Sequence, residues 1–135
     1  MEPDRITLVR AGELTDAAPY AYAAVPPAGA RLVFTAGACP LDEAGATVAP
    51  GDVPAQAEQV MANLRTALHA AGADLGDVLK TTVYVATQRR EDLVAAWDVV
   101  RRHFGDHDAP STLLGVSVLG YPDQLVEVEA VAALP

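Results

Sequence analysis

Two glutamates interrupt an apolar segment near the carboxyl end, and they limit how this chain can fold. Residues 125–132 read Leu-Val-Glu-Val-Glu-Ala-Val-Ala, a pattern typical of a β-strand. Because alternate residues of a strand share a face, Glu127 and Glu129 point to one side and the valines to the other. An ionised carboxylate is costly to bury without a partner, so that side either faces water or lines a polar site.

Length, charge and cysteine usage exclude several classes of protein. A chain of 135 residues, 51% of them hydrophobic, predicts one folded domain over residues 1–135. Its net charge of −9 disfavours nucleic acid and anionic membrane surfaces as partners. The one cysteine, Cys39, cannot form an internal disulfide and fits a reducing compartment. No signal-like or membrane-length apolar run is present, so we expect a cytoplasmic protein.

Hydrophobic periodicity divides the chain into short strands and two helices. We predict early strands at residues 6–9, 20–25 and 31–35, and expect the third to be buried. From Pro54 onward apolar residues recur at helical spacing, as far as a cap expected at Gly72. The remaining predicted elements are a strand at residues 78–86, a helix at 91–103 and two strands joined by a turn within 109–132.

Two helices are enough to cover one face of a mixed or antiparallel sheet. The predicted strands look apolar on both sides, which would require cover for the second face as well. The chain has no further helix for that purpose. We therefore expect another copy of the chain to cover it, in a closed symmetric assembly.

The sequence contains four segments, at residues 19–20, 34–40, 56–84 and 104–130, that together resemble the Rid family, also called the YjgF/RidA or L-PSP family. Pro19-Tyr20 lies where the family has a tyrosine, and residues 34–40 (Phe-Thr-Ala-Gly-Ala-Cys-Pro) resemble its Ser-Gly-Gln-x-Pro pattern. Residues 56–84, ending in Lys-Thr-Thr-Val-Tyr, resemble the family's helix and the strand after it. Phe104-Gly105 and residues 126–130 (Val-Glu-Val-Glu-Ala) resemble the last block. The resemblance covers nearly the whole chain after its first ten or so residues.

This resemblance implies a chorismate-mutase-like α+β fold, with a mixed sheet covered by two helices on one face. It also implies a homotrimer that binds small molecules in clefts between subunits, without a cofactor. The best-studied members hydrolyse reactive enamines and imines to ketoacids and ammonia, and some members lack that activity. The first glutamate of the last strand, here Glu127, is placed in the family to activate water and move protons.

The chain departs from the deaminase members of this family at several pocket positions. Those members bind the substrate carboxylate with an arginine, four residues before the position filled here by Gly115. Here that position is Ser111, within Ala-Pro-Ser-Thr at residues 109–112. Ala36 replaces the family serine, Ala38 replaces the glutamine, and an apolar residue, Leu113, follows the hydroxyl pair. We therefore expect a more apolar pocket for a small neutral imine or enamine, and not a standard 2-aminoacrylate deaminase.

The residues singled out by the resemblance also have simpler structural interpretations. Glu127 is the catalytic candidate, although it could equally bond backbone amides. The ligand-binding candidates are Tyr20, Ala36, Gly37, Ser111 and Thr112, with Cys39, Tyr84 and His107 as further candidates. Tyrosines and free cysteines often serve only in packing, and Trp97 is most simply a core residue. The spacing of the three histidines indicates no metal site.

Two other functions compete with hydrolysis. The same trimer could be a non-catalytic ligand-binding or regulatory protein, an alternative favoured by each polar pocket residue that is missing. Glu127→Ala separates the two, because a binder keeps its function without that carboxylate. A ribonuclease, which one of the family names suggests, is disfavoured by the net charge of −9 and the absence of a basic stripe.

Overall fold

The computed structural model describes residues 5–135 of the chain. Two helices, α1 (Val53–Ala70) and α2 (Arg90–Phe104), lie among six strands, and a short 3₁₀ turn (Leu75–Asp77) follows α1. The strands are β1 (Thr7–Val9), β2 (Ala23–Val25), β3 (Leu32–Phe34), β4 (Val78–Ala86), β5 (Ser111–Val116) and β6 (Val126–Ala133). The predicted order of elements is confirmed, and all three early strands are shorter than predicted.

The main sheet has four strands in the order β3-β6-β4-β5. β5 runs parallel to β4, and the other pairs are antiparallel, so the predicted mixed α+β sheet is confirmed. β1 and β2 form a separate two-stranded ladder. The two carboxyl-end strands are not neighbours, because β6 lies between β3 and β4.

Local sequence accounts for the bounds of α1. Asp52 accepts a hydrogen bond from the backbone N–H of Ala55 at 3.0 Å, and Pro54 lies in the first turn, where its missing N–H costs nothing. The helix ends at Ala70, and Gly72 adopts the left-handed conformation just beyond it (φ 92°). Neither helix of residues 5–135 is long and apolar enough to cross a membrane.

Both helices pack against one face of the sheet, as predicted. The core consists of the apolar stripe of α1 and the inward residues of the two central strands. Its fully buried members include Val60, Met61, Leu64 and Leu68 on α1, Val83 and Val85 on β4, and Val126 and Val128 on β6. Burying such side chains contributes roughly 1.5–3 kcal/mol each.

The opposite face, here called the open face, differs from our prediction. The expectation that the strands are apolar on both sides is wrong at the centre of the sheet. There Tyr84 lies opposite Glu127, and Thr82 lies opposite Glu129, so alternation gathers polar side chains on one face. The expectation of a buried third strand is wrong for the single chain, because no helix within residues 5–135 covers this face. In β3, Leu32 is 45% exposed and Phe34 is 73% exposed.

Candidate active site

Glu127 lies at the start of β6, half-buried on the open face. One of its carboxylate oxygens, Oε1, accepts two hydrogen bonds. The side-chain amide of Gln124 donates one at 3.1 Å, and the thiol of Cys39 donates the other at 3.4 Å. We call Glu127, Gly37, Cys39 and Gln124 the glutamate cluster.

Gly37 makes room for the Glu127 carboxylate. A Cβ at position 37 would lie 2.3 Å from Oε2 and 2.6 Å from Cδ of Glu127, closer than real Cβ contacts. The segment is fixed by the next residue, because Ala38 exchanges backbone hydrogen bonds with Val128 at 2.7 and 3.2 Å. Ala36, which precedes this contact, is exposed. Only glycine allows the chain to pass this close to the acid.

Cys39 is held as a protonated thiol. Burial raises the pKa of this thiol to about 11, and both the hydrogen bond to Glu127 and the charge of that carboxylate act in the same direction. At neutral pH the residue is therefore a hydrogen-bond donor and not a thiolate nucleophile.

Tyr84 and Glu129 form a second pair on the same face. The Tyr84 hydroxyl donates a hydrogen bond to Oε1 of Glu129 at 2.5 Å. This bond raises the pKa of the Tyr84 hydroxyl, and partial burial and the negative charges of Glu129 and Glu127 raise it further. Glu129 thus has a local partner for one of its oxygens.

A cleft of about 440 Å³ lies beside β5. We call it the β5 cleft, and its lining residues are Tyr20, Trp97, Ser111, Thr112 and Leu113. The Tyr20 and Trp97 rings meet edge to face, with centroids 6.4 Å apart. The two hydroxyl groups already have partners, because Thr81 donates to Ser111 at 2.7 Å and Lys80 donates to Thr112 at 2.6 Å.

Tyr20 reaches the β5 cleft from the segment between β1 and β2. That segment is attached to the main domain at Asp108, whose carbonyl accepts from the N–H of Ala21 at 2.8 Å. The Asp108 carboxylate also bonds Arg10 at 3.0 Å, and Arg10 in turn donates to the carbonyl of Ala18 at 2.7 Å. Residues on both sides of Tyr20 are therefore held in place.

The structure gathers the candidate residues into two groups within one chain. Tyr20, Ser111 and Thr112 line the β5 cleft, whereas Gly37 and Cys39 contact Glu127. β4 separates the groups, because β5 and β6 flank it, and two strand spacings amount to about 10 Å. His107 belongs to neither group, since its Nε2 lies 2.8 Å from the carbonyl oxygen of Val78.

Three residues at or beside these groups are not among the site residues expected from the sequence. Gln124 lies three residues before Glu127, but nothing in the pattern shows that its side chain turns back to the acid. Lys80 and Tyr84 lie four residues apart on β4, and this even spacing indicates that they share a face of the strand. Trp97 packs against the core, as expected, but it is only half-buried and also lines the β5 cleft. Among residues 5–135, no group of three or more His, Cys, Asp or Glu side chains could hold a metal ion.

The sequence profile of the family described as endoribonuclease L-PSP matches residues 12–134. The chain belongs to this family, the Rid/YjgF/L-PSP family. A Rid-family relative, the 2-iminobutanoate/2-iminopropanoate deaminase of Salmonella typhimurium, is 35% identical over 103 residues, covering 75% of this chain and 78% of that protein.

Solved structures of the Rid family share the fold described above. The crystal structure of the Rid protein YyfB from Yersinia pestis matches with a TM-score of 0.89 and 28% identity, covering 96% of this chain and 99% of that one. The structure of E. coli TdcF with bound serine matches with a TM-score of 0.67 and 26% identity, covering 100% of this chain and 97% of that one.

Proposed function

We propose that this Rid-family chain hydrolyses a small imine, or the enamine in equilibrium with it, to a carbonyl compound and ammonia. The observation that carries the proposal is the glutamate cluster, in which the bare Cα of Gly37 leaves room for Oε2 of Glu127 while two donors hold Oε1. The deaminase name of the Salmonella relative supports the same reaction class.

The reaction needs one group that moves protons and one water molecule. The Glu127 carboxylate takes a proton from water as the water oxygen bonds to the imine carbon, and the C=N electron pair becomes a nitrogen lone pair. The same carboxyl then returns the proton to nitrogen. The product is a carbinolamine, which carries a hydroxyl and an amino group on the same carbon. The Glu127 carboxylate then takes the hydroxyl proton and delivers it to nitrogen, the C–N bond breaks as the C=O bond forms, and ammonia leaves.

The β5 cleft is the proposed place for the substrate, with Tyr20, Ser111 and Thr112 orienting it. We propose that the chain forms a homotrimer, in which the β5 cleft of one copy faces the glutamate cluster of a neighbour. Exposed apolar side chains on the open face support this assembly, since Leu32, Phe34 and Leu114 are 45%, 73% and 43% exposed. The bound serine in TdcF supports a small-molecule ligand.

We propose a substrate without a carboxylate at the Ser111 position. None of the five side chains that line the β5 cleft carries a charge. The resemblance to the family implies that Ser111 occupies the position of the arginine in the deaminase members. A serine hydroxyl cannot replace a guanidinium that binds both oxygens of a carboxylate at once. The ammonium of Lys80 does not line the cleft, and it already donates to Thr112.

Two matched imines test this proposal. An amine oxidase acting on isopropylamine generates the neutral imine of acetone, and an amino-acid oxidase acting on alanine generates 2-iminopropanoate. Semicarbazide traps whatever imine the protein has not hydrolysed. We expect faster hydrolysis of the neutral imine, and at least about a hundredfold loss of it in Glu127→Gln. Equal rates with and without protein, for both imines, would contradict the proposal.

A non-catalytic binder is the second candidate. It is favoured by the neutral lining of the β5 cleft and by the engagement of both of its hydroxyl groups. Calorimetric titration with acetone oxime, a stable analogue of the neutral imine, separates the two functions. A binder retains its affinity in Glu127→Gln and accelerates neither imine, whereas a hydrolase loses turnover in that variant.

A further inference from the structure

The two oxygens of the Glu127 carboxylate have different surroundings. Oε1 accepts both hydrogen bonds of the glutamate cluster, from Gln124 at 3.1 Å and from Cys39 at 3.4 Å. No donor among residues 5–135 bonds Oε2, and Oε2 is not a buried oxygen without a partner. Oε2 therefore keeps contact with solvent on one side, while its other side lies against the Cα of Gly37.

The Gln124 side chain is held in one orientation by burial and by hydrogen bonds to the backbone. The side chain is only 4% exposed, and its own carbonyl accepts from the N–H of Tyr121 at 3.1 Å. Its amide also donates to the carbonyl of Val126 at 3.2 Å. With each end anchored to backbone, the amide group cannot rotate away from Glu127 without breaking these bonds.

The second donor is fixed from the other side of the cluster. The backbone carbonyl of Cys39 accepts from the Asn63 amide on α1 at 2.8 Å. Its thiol is protonated at neutral pH, as described above, so it has a hydrogen to donate. The thiol also lies 3.4 Å from the carbonyl oxygen of Gly37, so its single hydrogen is shared between that oxygen and Oε1. Two independently anchored donors thus reach one carboxylate oxygen, and the Gln124 amide is the one with a hydrogen to spare for it.

From this geometry we infer that Gln124 and Cys39 are positioning residues that hold Oε1 of Glu127 and leave Oε2 as the oxygen that takes the proton from water. The inference rests on the proposed function for the chemistry, but the positioning itself is a property of the folded chain. Removing both donors frees the carboxylate to rotate, so that either oxygen can face the solvent and neither is held in the productive direction.

Substitutions of similar size test the inference through turnover. With the imine that the wild-type protein hydrolyses, we expect Gln124→Met and Cys39→Ala each to lower kcat about tenfold with little change in KM. Cys39→Ser, which keeps a donor, should retain most of the activity. Gln88→Met, an exposed substitution outside the site, is the control. Unchanged kcat in the Gln124→Met and Cys39→Ala variants would overturn the inference.

A crystal structure of the double variant, Gln124→Met with Cys39→Ala, gives a result that does not depend on turnover. We expect the Glu127 carboxylate to be displaced or to occupy more than one orientation. A carboxylate in the wild-type orientation would overturn the inference even if no imine is hydrolysed. Should Gln124→Met fail to fold, the single Cys39→Ala and Cys39→Ser structures make the same comparison.

The two proposals fail in different ways. If Glu127→Gln is as active as the wild-type protein, the proposed function is wrong. If Glu127→Gln is inactive while both donor-lacking variants keep full kcat and an unmoved carboxylate, only the positioning inference is wrong.

Discussion

At the scale of single residues, the contact between Gly37 and Glu127 leaves no space for a side chain. The nearest atoms to a Cβ at position 37 are Oε2, Cδ and Cγ of Glu127, at 2.3, 2.6 and 2.9 Å. Because β6 holds the backbone of Glu127 in the centre of the sheet, a side chain at position 37 would force the Glu127 side chain to move. Gly37 therefore determines where the carboxylate lies.

We predict that Gly37→Ala displaces the Glu127 carboxylate and lowers imine hydrolysis more than tenfold, with little change in the free energy of unfolding, because the atoms that must move belong to the end of a flexible side chain. Gly76→Ala is the matched control, because nothing lies within 4 Å of a Cβ at that position. Hydrolysis rates and urea unfolding of the two variants provide the comparison. Equal activity in both would show that the contact at Gly37 is not needed.

The rate at which the Cys39 thiol is alkylated reports on the charge of the neighbouring Glu127 carboxylate. The pKa of the thiol is raised to about 11 by burial first, and then by the hydrogen bond to Glu127 and its charge. A raised pKa keeps the reactive thiolate scarce below that pH, so alkylation at pH 8 should be slow. Cys39 is the one cysteine in the sequence, so the alkylated mass reports on it alone.

We predict that Glu127→Gln speeds alkylation of Cys39 by iodoacetamide at pH 8. Without the carboxylate charge the pKa of the thiol falls, although burial still keeps it above its ordinary value. Each unit of that fall raises the thiolate fraction about tenfold. Glu129→Gln is the control, since that carboxylate bonds Tyr84 and not Cys39. Equal rates in the two variants would contradict this account.

At the scale of elements, α1 supports the candidate site with polar side chains as well as apolar ones. Gln56 is fully buried, accepts from the N–H of Leu125 at 2.7 Å, and donates to the carbonyl of Asp123 at 2.9 Å. About two turns further along the helix, the Asn63 amide donates to the carbonyls of Cys39 and Leu41 at 2.8 and 2.9 Å. One helix thus fixes both segments that carry the partners of Glu127.

We predict that Gln56→Met destabilises the protein by about 1–3 kcal/mol, because it removes a buried amide that bonds the N–H of Leu125 and the carbonyl of Asp123. Gln88→Met, at an exposed position, should change the free energy of unfolding by about 0.5 kcal/mol or less. Urea unfolding measures both. A cost at Gln56 no larger than at Gln88 would mean that water replaces the lost bonds.

The elements themselves were predictable because each one has a local pattern. Alternation in residues 125–132 correctly placed Glu127 and Glu129 on one face, and helical spacing located both helices. The buried amide of Gln56 has no such pattern, since a glutamine between apolar residues looks the same whether it faces water or a loop. For the same reason the bond from Gln124 to Glu127 could not be predicted.

At the scale of the whole molecule, the order of strands in the sheet separates the two candidate groups. The insertion of β6 between β3 and β4 leaves β3 at one edge and β5 at the other. This order depends on pairing between distant segments, so no local pattern predicted the exposure of Phe34 or the separation of Glu127 from Ser111. The resemblance to the family supplied the fold class instead.

We predict that Phe34→Asp dissociates the proposed homotrimer and abolishes imine hydrolysis, because each site then lacks the β5 cleft of its neighbour. Light scattering should report three times the 14.0 kDa of one chain for the wild-type protein, and a single chain for the variant. Val94→Asp, at a 55% exposed position on α2, should leave the mass unchanged. A wild-type protein with the mass of one chain would contradict the assembly.

The attachment of the Tyr20 segment at Asp108 has a consequence for how occupancy could be observed. Tyr20 arrives from the amino-terminal ladder, whereas Ser111 and Thr112 belong to the sheet. A ligand bound between these residues would stabilise the packing of the ladder against the sheet. The Ala21 amide would then exchange its hydrogen for deuterium more slowly. Exchange at that single backbone position could therefore rank compounds before any reaction is known.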